Sequence, residues 1–233
     1  MNLSHLALEV KYLEPVHGFY DSLGLENLRR DADESVFDVG NDTRLVLRSP
    51  SDVPRGGLHT HYALSTPYDD YDGWYDRVTE LTGEEPDERD FGGYSSLYFY
   101  DPEGNCVEIG QSDSDNVEDE PELDGVFEVV LEVEDLGTAV SFYEKVGFEL
   151  SDAGEGERRV RLDGGGVDLE LWEPRLGIAD GQGGVHVDFG LELENVEPGS
   201  VTESVSEEAS SVERTERGTR LKDPDGHYLT LSE

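Results

Sequence analysis

Three residues carry the strongest chemical suggestion in the chain: His5, His61 and Glu108. Each lies in a segment where apolar and polar residues alternate, as they do along a half-buried strand. In the first, Leu6, Leu8 and Val10 share a face apolar enough to pack on a helix, which leaves His5, Ala7 and Glu9 on the other. In the second, Leu58, Thr60, Tyr62 and Leu64 share one face, while His59, His61, Ala63 and Ser65 share the other. In the third, Val107 and Ile109 oppose Cys106, Glu108 and Gly110. Two imidazoles and a carboxylate, each projecting from a non-packing face beside small residues, make up a 2-His-1-carboxylate set. Such a set occupies one side of a metal ion and leaves positions open for substrate or O₂. Singly the residues mean little, because a strand histidine is usually a satisfied polar group and a glutamate in an acidic chain is usually solvated. The reading rests on the coincidence of three faces.

The elements that position these residues recur along the chain. HLALEV (5–10) is echoed by EVVLEV (128–133), FYDSLGL (19–25) by FYEKVGF (142–148), GGLHTHYAL (56–64) by GGVHVDFGL (183–191), and DPEGNCVEI (101–109) by DPDGHYLTL (223–231). Four landmarks in one order make the chain two copies of a module. Residues 1–112 form the first copy and 125–233 the second, with an acidic, apolar-poor linker over 113–124. Each copy divides again. A strand over 3–10, a helix closed by Gly24, and strands at 35–39 and 43–47 are followed by a strand at 58–65, a helix over 71–81, and strands at 95–100 and 106–109. The last two are joined by the turn Asp101-Pro-Glu-Gly-Asn105. The expected fold is α+β: four βαβββ units in two modules with cup-shaped mixed sheets.

Composition bounds the partners. The 233 residues hold 56 Asp+Glu against 17 Lys+Arg, a net charge of −39. That balance excludes a phosphate-reading nucleic-acid binder and an anionic membrane surface. A carboxylate-rich surface with few lysines repels itself in dilute salt and is screened in molar salt, so we expect a cytoplasmic protein of a salt-accumulating halophile. A single cysteine, Cys106, allows no intramolecular disulfide. No segment reads as a signal peptide or a membrane span.

The motifs SHLALEV, FYDSLGL, HTHYALS and YFYDPEGNCVEI resemble the vicinal oxygen chelate superfamily, which includes glyoxalase I, fosfomycin-resistance thiol transferases, extradiol dioxygenases and bleomycin-resistance proteins. The resemblance covers most of residues 1–112 and more weakly 125–233. It implies paired βαβββ units cupped around a divalent metal, Fe(II) or Mn(II) before Zn(II) or Ni(II), with His5, His61 and Glu108 on the shared ligand positions, and a small-molecule substrate bearing vicinal oxygens. A monomer and a homodimer are both compatible, as are pairing of modules within one chain and swapping between chains. Glyoxalase I adds a carboxylate late in the fourth strand of its first unit; Arg44-Leu-Val-Leu-Arg48 has none. Thiol transferases carry a threonine two residues past the first ligand, where this chain has Ala7. The stretch Leu97–Glu108 fits the end of the extradiol dioxygenase signature, and there Tyr98 would hydrogen-bond the substrate. The upstream Asp-His-Gly of that signature reads Asp90-Phe91-Gly92, and phenylalanine cannot move a proton.

The resemblance thus favours an extradiol-type ring-cleaving enzyme, with a glyoxalase-like lyase or isomerase and a non-catalytic resistance-type binder as alternatives. In the second copy, Glu128, Asp188 and Thr230 stand where His5, His61 and Glu108 stand. That copy reads as a degenerate module, or as a metal-free binding pocket. His59 recurs as His186, which suggests a supporting role, and Cys106 beside Glu108 reads as packing before metal contact.

Overall fold

The structure, a computed structural model, describes residues 1–50, 59–114, 121–154, 156, 158–174, 187–193 and 196–232. The four units appear in order. The first holds β1 (Asn2–Glu9), α1 (Leu13–Leu23), β2 (Asn27–Arg30), β3 (Glu34–Asp38) and β4 (Arg44–Arg48). Next come β5 (His59–Pro67), α2 (Tyr71–Thr82), β6 (Asp87–Asp90), β7 (Ser95–Tyr100) and β8 (Cys106–Ser112). The third unit comprises β9 (Val126–Glu132), α3 (Leu136–Val146), β10 (Glu149–Asp152), β11 (Arg159–Asp163) and β12 (Asp168–Trp172). The fourth comprises β13 (Val187–Glu192), α4 (Pro198–Val205), β14 (Ser211–Thr215), β15 (Gly218–Lys222) and β16 (Tyr228–Ser232).

Local chemistry explains the helix ends. Gly24 closes α1 in the left-handed region at φ 99°, its N–H returning to the carbonyls of Tyr20 and Asp21. Asp135 opens α3 by accepting the Thr138 N–H at 2.7 Å. The strands beyond those expected, β2, β6, β10 and β14, all sit at sheet edges and are mostly exposed. An edge strand with neither face buried shows no apolar alternation, so its sequence gives no period to read.

Pairing of the units is the decisive feature. One eight-stranded sheet runs β14-β15-β16-β13-β1-β4-β3-β2, and the other runs β10-β11-β12-β9-β5-β8-β7-β6. The first unit therefore shares a sheet with the fourth, and the second with the third. Both seams are antiparallel: Ala7 lies opposite Asp188 across β1–β13, and Ala63 opposite Glu128 across β5–β9. Sequence repeats and sheets do not share a boundary, because each sheet takes one unit from each half of the chain.

Within a half, the two units meet through their helices and the Asp-Pro-x-Gly turn. The Tyr20 hydroxyl of α1 lies 2.6 Å from the Tyr62 hydroxyl of β5 and donates to Asp101 at 3.1 Å. In the second half, the Tyr143 hydroxyl donates to Asp223 at 2.8 Å. A single apolar core containing Leu6, Leu64, Leu131 and Phe189 runs through both sheets. The end of the stretch expected to be a linker is docked between them. Glu122 N–H donates to buried Asp70 at 2.9 Å, Trp74 Nε1–H to the Glu122 carbonyl at 3.1 Å, and Gly125 N–H to the Val39 carbonyl at 2.7 Å. Gly40 is required here, since a Cβ on it would lie 1.9 Å from the Leu123 carbonyl oxygen. The side chain of His59 and all of His186 lie outside the described residues.

Candidate metal centre

The cup of the second sheet collects the donor atoms. His61 points from β5, Glu108 from the adjacent parallel strand β8, and Glu128 from the antiparallel neighbour β9. His61 Nε2 lies 3.2 Å from Glu108 Oε2 and 3.6 Å from Glu128 Oε1, and one ligand atom from each of the three falls within 4.8 Å of the other two. All three are buried, at 3 %, 4 % and 5 % exposure. Carboxylates withdrawn from water with an imidazole between them cost energy unless a cation compensates. Oxygen and imidazole donors this close suit a divalent first-row metal.

Neighbouring groups tune the set. Burial pushes the His61 imidazole down, but its bonds to Glu108 and Glu128 override that and raise it to about 9. The Tyr98 ring stands edge-on to His61 at 5.7 Å, as does Trp172 at 5.6 Å. Burial, the Glu108 charge and a hydrogen bond to Glu108 keep the Tyr98 hydroxyl protonated far above the usual phenol range. Cys106 packs against Tyr98, and its thiol is pushed up to about 12, first by burial and then by Glu108. A third glutamate, Glu170 of β12, lines the same cavity. Trp172 Nε1–H donates to it at 2.7 Å and Arg159 at 2.9 Å, yet burial and then the Glu128 charge raise its carboxyl above the ordinary range. Arg161 bridges Glu128 and Asp168. The cavity holds about 590 Å³, with Phe91, Tyr94, Phe127 and Trp172 among its walls. Phe91, which replaces the signature histidine, is 61 % exposed.

His5 is not in this cup, and its expected place beside His61 and Glu108 is corrected. It lies on β1 of the other sheet and opens into cavities lined by Glu34, Arg217 and Thr230. The reason is the crossed pairing, which puts strands β1 and β5 of the same half into different sheets. Glu128 takes the position opposite His61 that His5 was expected to fill. The cup is thus not the property of residues 1–112: Glu128 and Glu170 come from the half read as degenerate. The repeat held the signal for both. Glu128 stands at the His5 position, and Glu170 in Asp168–Trp172 stands at the Val46 position in Arg44–Arg48. Only the pairing of units was missing. In the other cup, Asp188 accepts the Thr230 hydroxyl at 3.1 Å and lies 3.4 Å from both Arg48 and Arg220.

Residues 2–109 match the Glyoxalase/Bleomycin resistance protein/Dioxygenase superfamily. The chain is also 33% identical over 117 residues to the metallothiol transferase FosB of Lysinibacillus sphaericus, covering 46% of this chain and 80% of that one. The chain belongs to this superfamily. Members of the fold extend over the whole length. A proposed dioxygenase from Bacillus subtilis aligns with a TM-score of 0.74 at 15% identity, covering 99% of this chain and 85% of its own. Glyoxalase I from Zea mays aligns at 0.68 and 20% identity, covering 99% and 91%. In a superfamily of paired βαβββ units, the two cups seen here are the expected architecture. No helix among the described residues is long and apolar enough to cross a membrane.

Proposed function

We propose that the chain is a metal-dependent lyase or isomerase acting on a small molecule with vicinal oxygens in the cup of β5–β12. One observation carries this reading: a single imidazole converges with two carboxylates, and a third, Glu170, lines the same cavity. Glyoxalase I is the relative whose resemblance calls for an acid late in a fourth strand, and β12 is the fourth strand of its unit. The first unit lacks that acid, but its sheet does not face His61. A carboxylate-rich set also suits Mn(II) better than the imidazole-rich set expected for O₂ chemistry.

His61, Glu108 and Glu128 would hold the cation, which supplies Lewis acidity to two adjacent substrate oxygens. Glu170, raised toward neutrality by burial and by Glu128 and steadied by Trp172 and Arg159, accepts a proton from the carbon beside a polarised oxygen. Tyr98 keeps its proton and orients Glu108. Phe91, Phe127 and Trp172 line the rest of the cavity and would take the apolar part of the substrate.

A second reading, extradiol ring cleavage, is favoured by the fit of Leu97–Glu108. Part of that motif has a structural task, however. Asp101 accepts the N–H groups of Glu103 and Asn105, and Glu103 in turn accepts those of Lys11 and Tyr12 at 2.9 and 3.1 Å. The test is a Mn(II)-loaded sample offered a panel of α-hydroxy ketones and aldehydes in D₂O. Deuterium uptake at the α-carbon, lost in Glu170→Gln, supports the isomerase reading. Oxygen uptake with catechols and no α-exchange replaces it with ring cleavage.

A further inference from the structure

The other cup is built for a different ligand. At the places corresponding to Glu128, Glu170, His61 and Glu108 it carries His5, Val46, Asp188 and Thr230. Thr230 supplies no carboxylate, and Asp188 is already engaged by Thr230, Arg48 and Arg220. What gathers around this cup is positive charge. Arg29, Arg44, Arg48, Arg217 and Arg220 line its two adjoining cavities, five of the 17 cations in a chain of net charge −39. The acids facing them are Glu34, which pairs with Arg29, Arg48 and Arg217, together with Asp188, Glu192 and Glu216; five arginines against four acids still leave this concavity locally positive on a strongly negative molecule.

Two polar atoms here have no hydrogen-bond partner among the described residues. His5 Nε2 is buried without a hydrogen bond on a side chain that is 9 % exposed, and Arg220 Nε is buried likewise. Ser4 Oγ lies 3.3 Å from His5 Nδ1, so a serine hydroxyl donating to Nδ1 leaves Nε2–H as a donor toward the cup. Space for the ring is reserved by Gly190, where a Cβ would sit 2.3 Å from His5 Nδ1. Orphaned buried donors are costly and point to an acceptor that binds there. Arg44 makes no ion pair among the described residues and lines the larger cavity. An apolar patch of Val36 and Val46, with Leu28 beside it, lines the larger cavity of about 710 Å³.

We infer that this second cup binds a small organic carboxylate, its charge met by the arginines and His5 Nε2–H and its carbon skeleton laid on Leu28, Val36 and Val46. Guanidinium groups offer paired planar donors that match a carboxylate, and the apolar floor gives an organic anion an advantage over a bare inorganic one. The inference stands apart from the metal centre, whose residues it does not share.

Malonate and methylmalonate are titrated calorimetrically into the full chain at constant ionic strength, with inorganic phosphate as a parallel arm. One saturable site is expected for the carboxylates, tighter for the methylated one. Arg217→Gln, at a side chain 52% exposed and therefore safe for folding, should weaken it about tenfold or more. Side-chain NMR should show the His5 ring shifting on binding while the His61 ring does not. Phosphate binding as tightly as the carboxylates would overturn the ligand class. An unchanged affinity in Arg217→Gln, an unmoved His5 or no saturable site would overturn the cup as the binding place.

Discussion

Replacing Glu128 by Gln should shift the titration of His61, a residue 67 positions away and in the other half of the chain. The imidazole is raised from 6.5 to about 9 against a burial cost that lowers it. At about 1.4 kcal/mol per pH unit this is a net preference of about 3 kcal/mol for the protonated ring. The two carboxylates responsible stand at similar range, Glu108 at 3.2 Å and Glu128 at 3.6 Å. Removing one charge while keeping the shape should forfeit close to half of the attraction, which lowers the His61 pKa by roughly one unit or more. The sign for stability follows. With its folded value above the unfolded 6.5, His61 stabilises the metal-free fold fully below about pH 6.5, and this is lost as pH rises through about 9. Glu128→Gln should flatten that decline. Long-range ¹⁵N NMR of the imidazoles in chelator-treated protein reads the pKa directly, and burial shields the pair from screening by added salt. His5, held at about 4 chiefly by burial, is the internal control. An unmoved His61 curve would mean that β9 does not lie beside β5, and the crossed pairing would fall with it.

Three further outcomes follow from the same geometry. Mn(II) binding near pH 7.5 should release close to one proton, because an imidazole raised to about 9 must lose its proton to bind metal; calorimetry in two buffers of different ionisation enthalpy would refute this if the heats coincide. Tyr98→Phe removes the hydroxyl bonded to Glu108 and should weaken metal binding about tenfold, with little change in Tm; an unaltered Kd would remove Tyr98 from the site. Asp101→Ala strips the acceptor shared by Tyr20, Asn105 and the Glu103 N–H, and should cost about 3 kcal/mol in urea unfolding. A cost under about 0.5 kcal/mol would mean that the turn is not a structural tie.

Much of the fold was legible because buried strands and helix stripes leave periods in the sequence. Leu6 and Leu8, Leu64, Val107 and Ile109 alternate as read, and Gly24 ends the helix where it was placed. Residues such as the Asp87–Asp90 edge strand were invisible because nothing buries them. Strand faces grouped His5, His61 and Glu108 by their non-packing sides, and the structure puts two of them on adjacent strands, β5 and β8. They could not say which quarter joins which sheet, since that depends on contacts between residues far apart in the chain, such as His5 with Gly190 and Ala63 with Glu128. For the same reason Glu128 looked like the remnant of a lost site, and Glu170 drew no attention, although both line the cavity of His61. Charge misled in the opposite direction: the −39 total hides the arginines gathered around His5.

The central claim, that the metal is held by strands from both halves of the chain and without His5, is tested most directly by counting Mn(II) by electron paramagnetic resonance. The samples are the wild type, His5→Ala, His61→Ala and Glu128→Gln. One bound equivalent is expected in wild type and in His5→Ala, with affinity lost in His61→Ala and weakened about a hundredfold in Glu128→Gln. Loss of Mn(II) in His5→Ala, with full binding in Glu128→Gln, would contradict it.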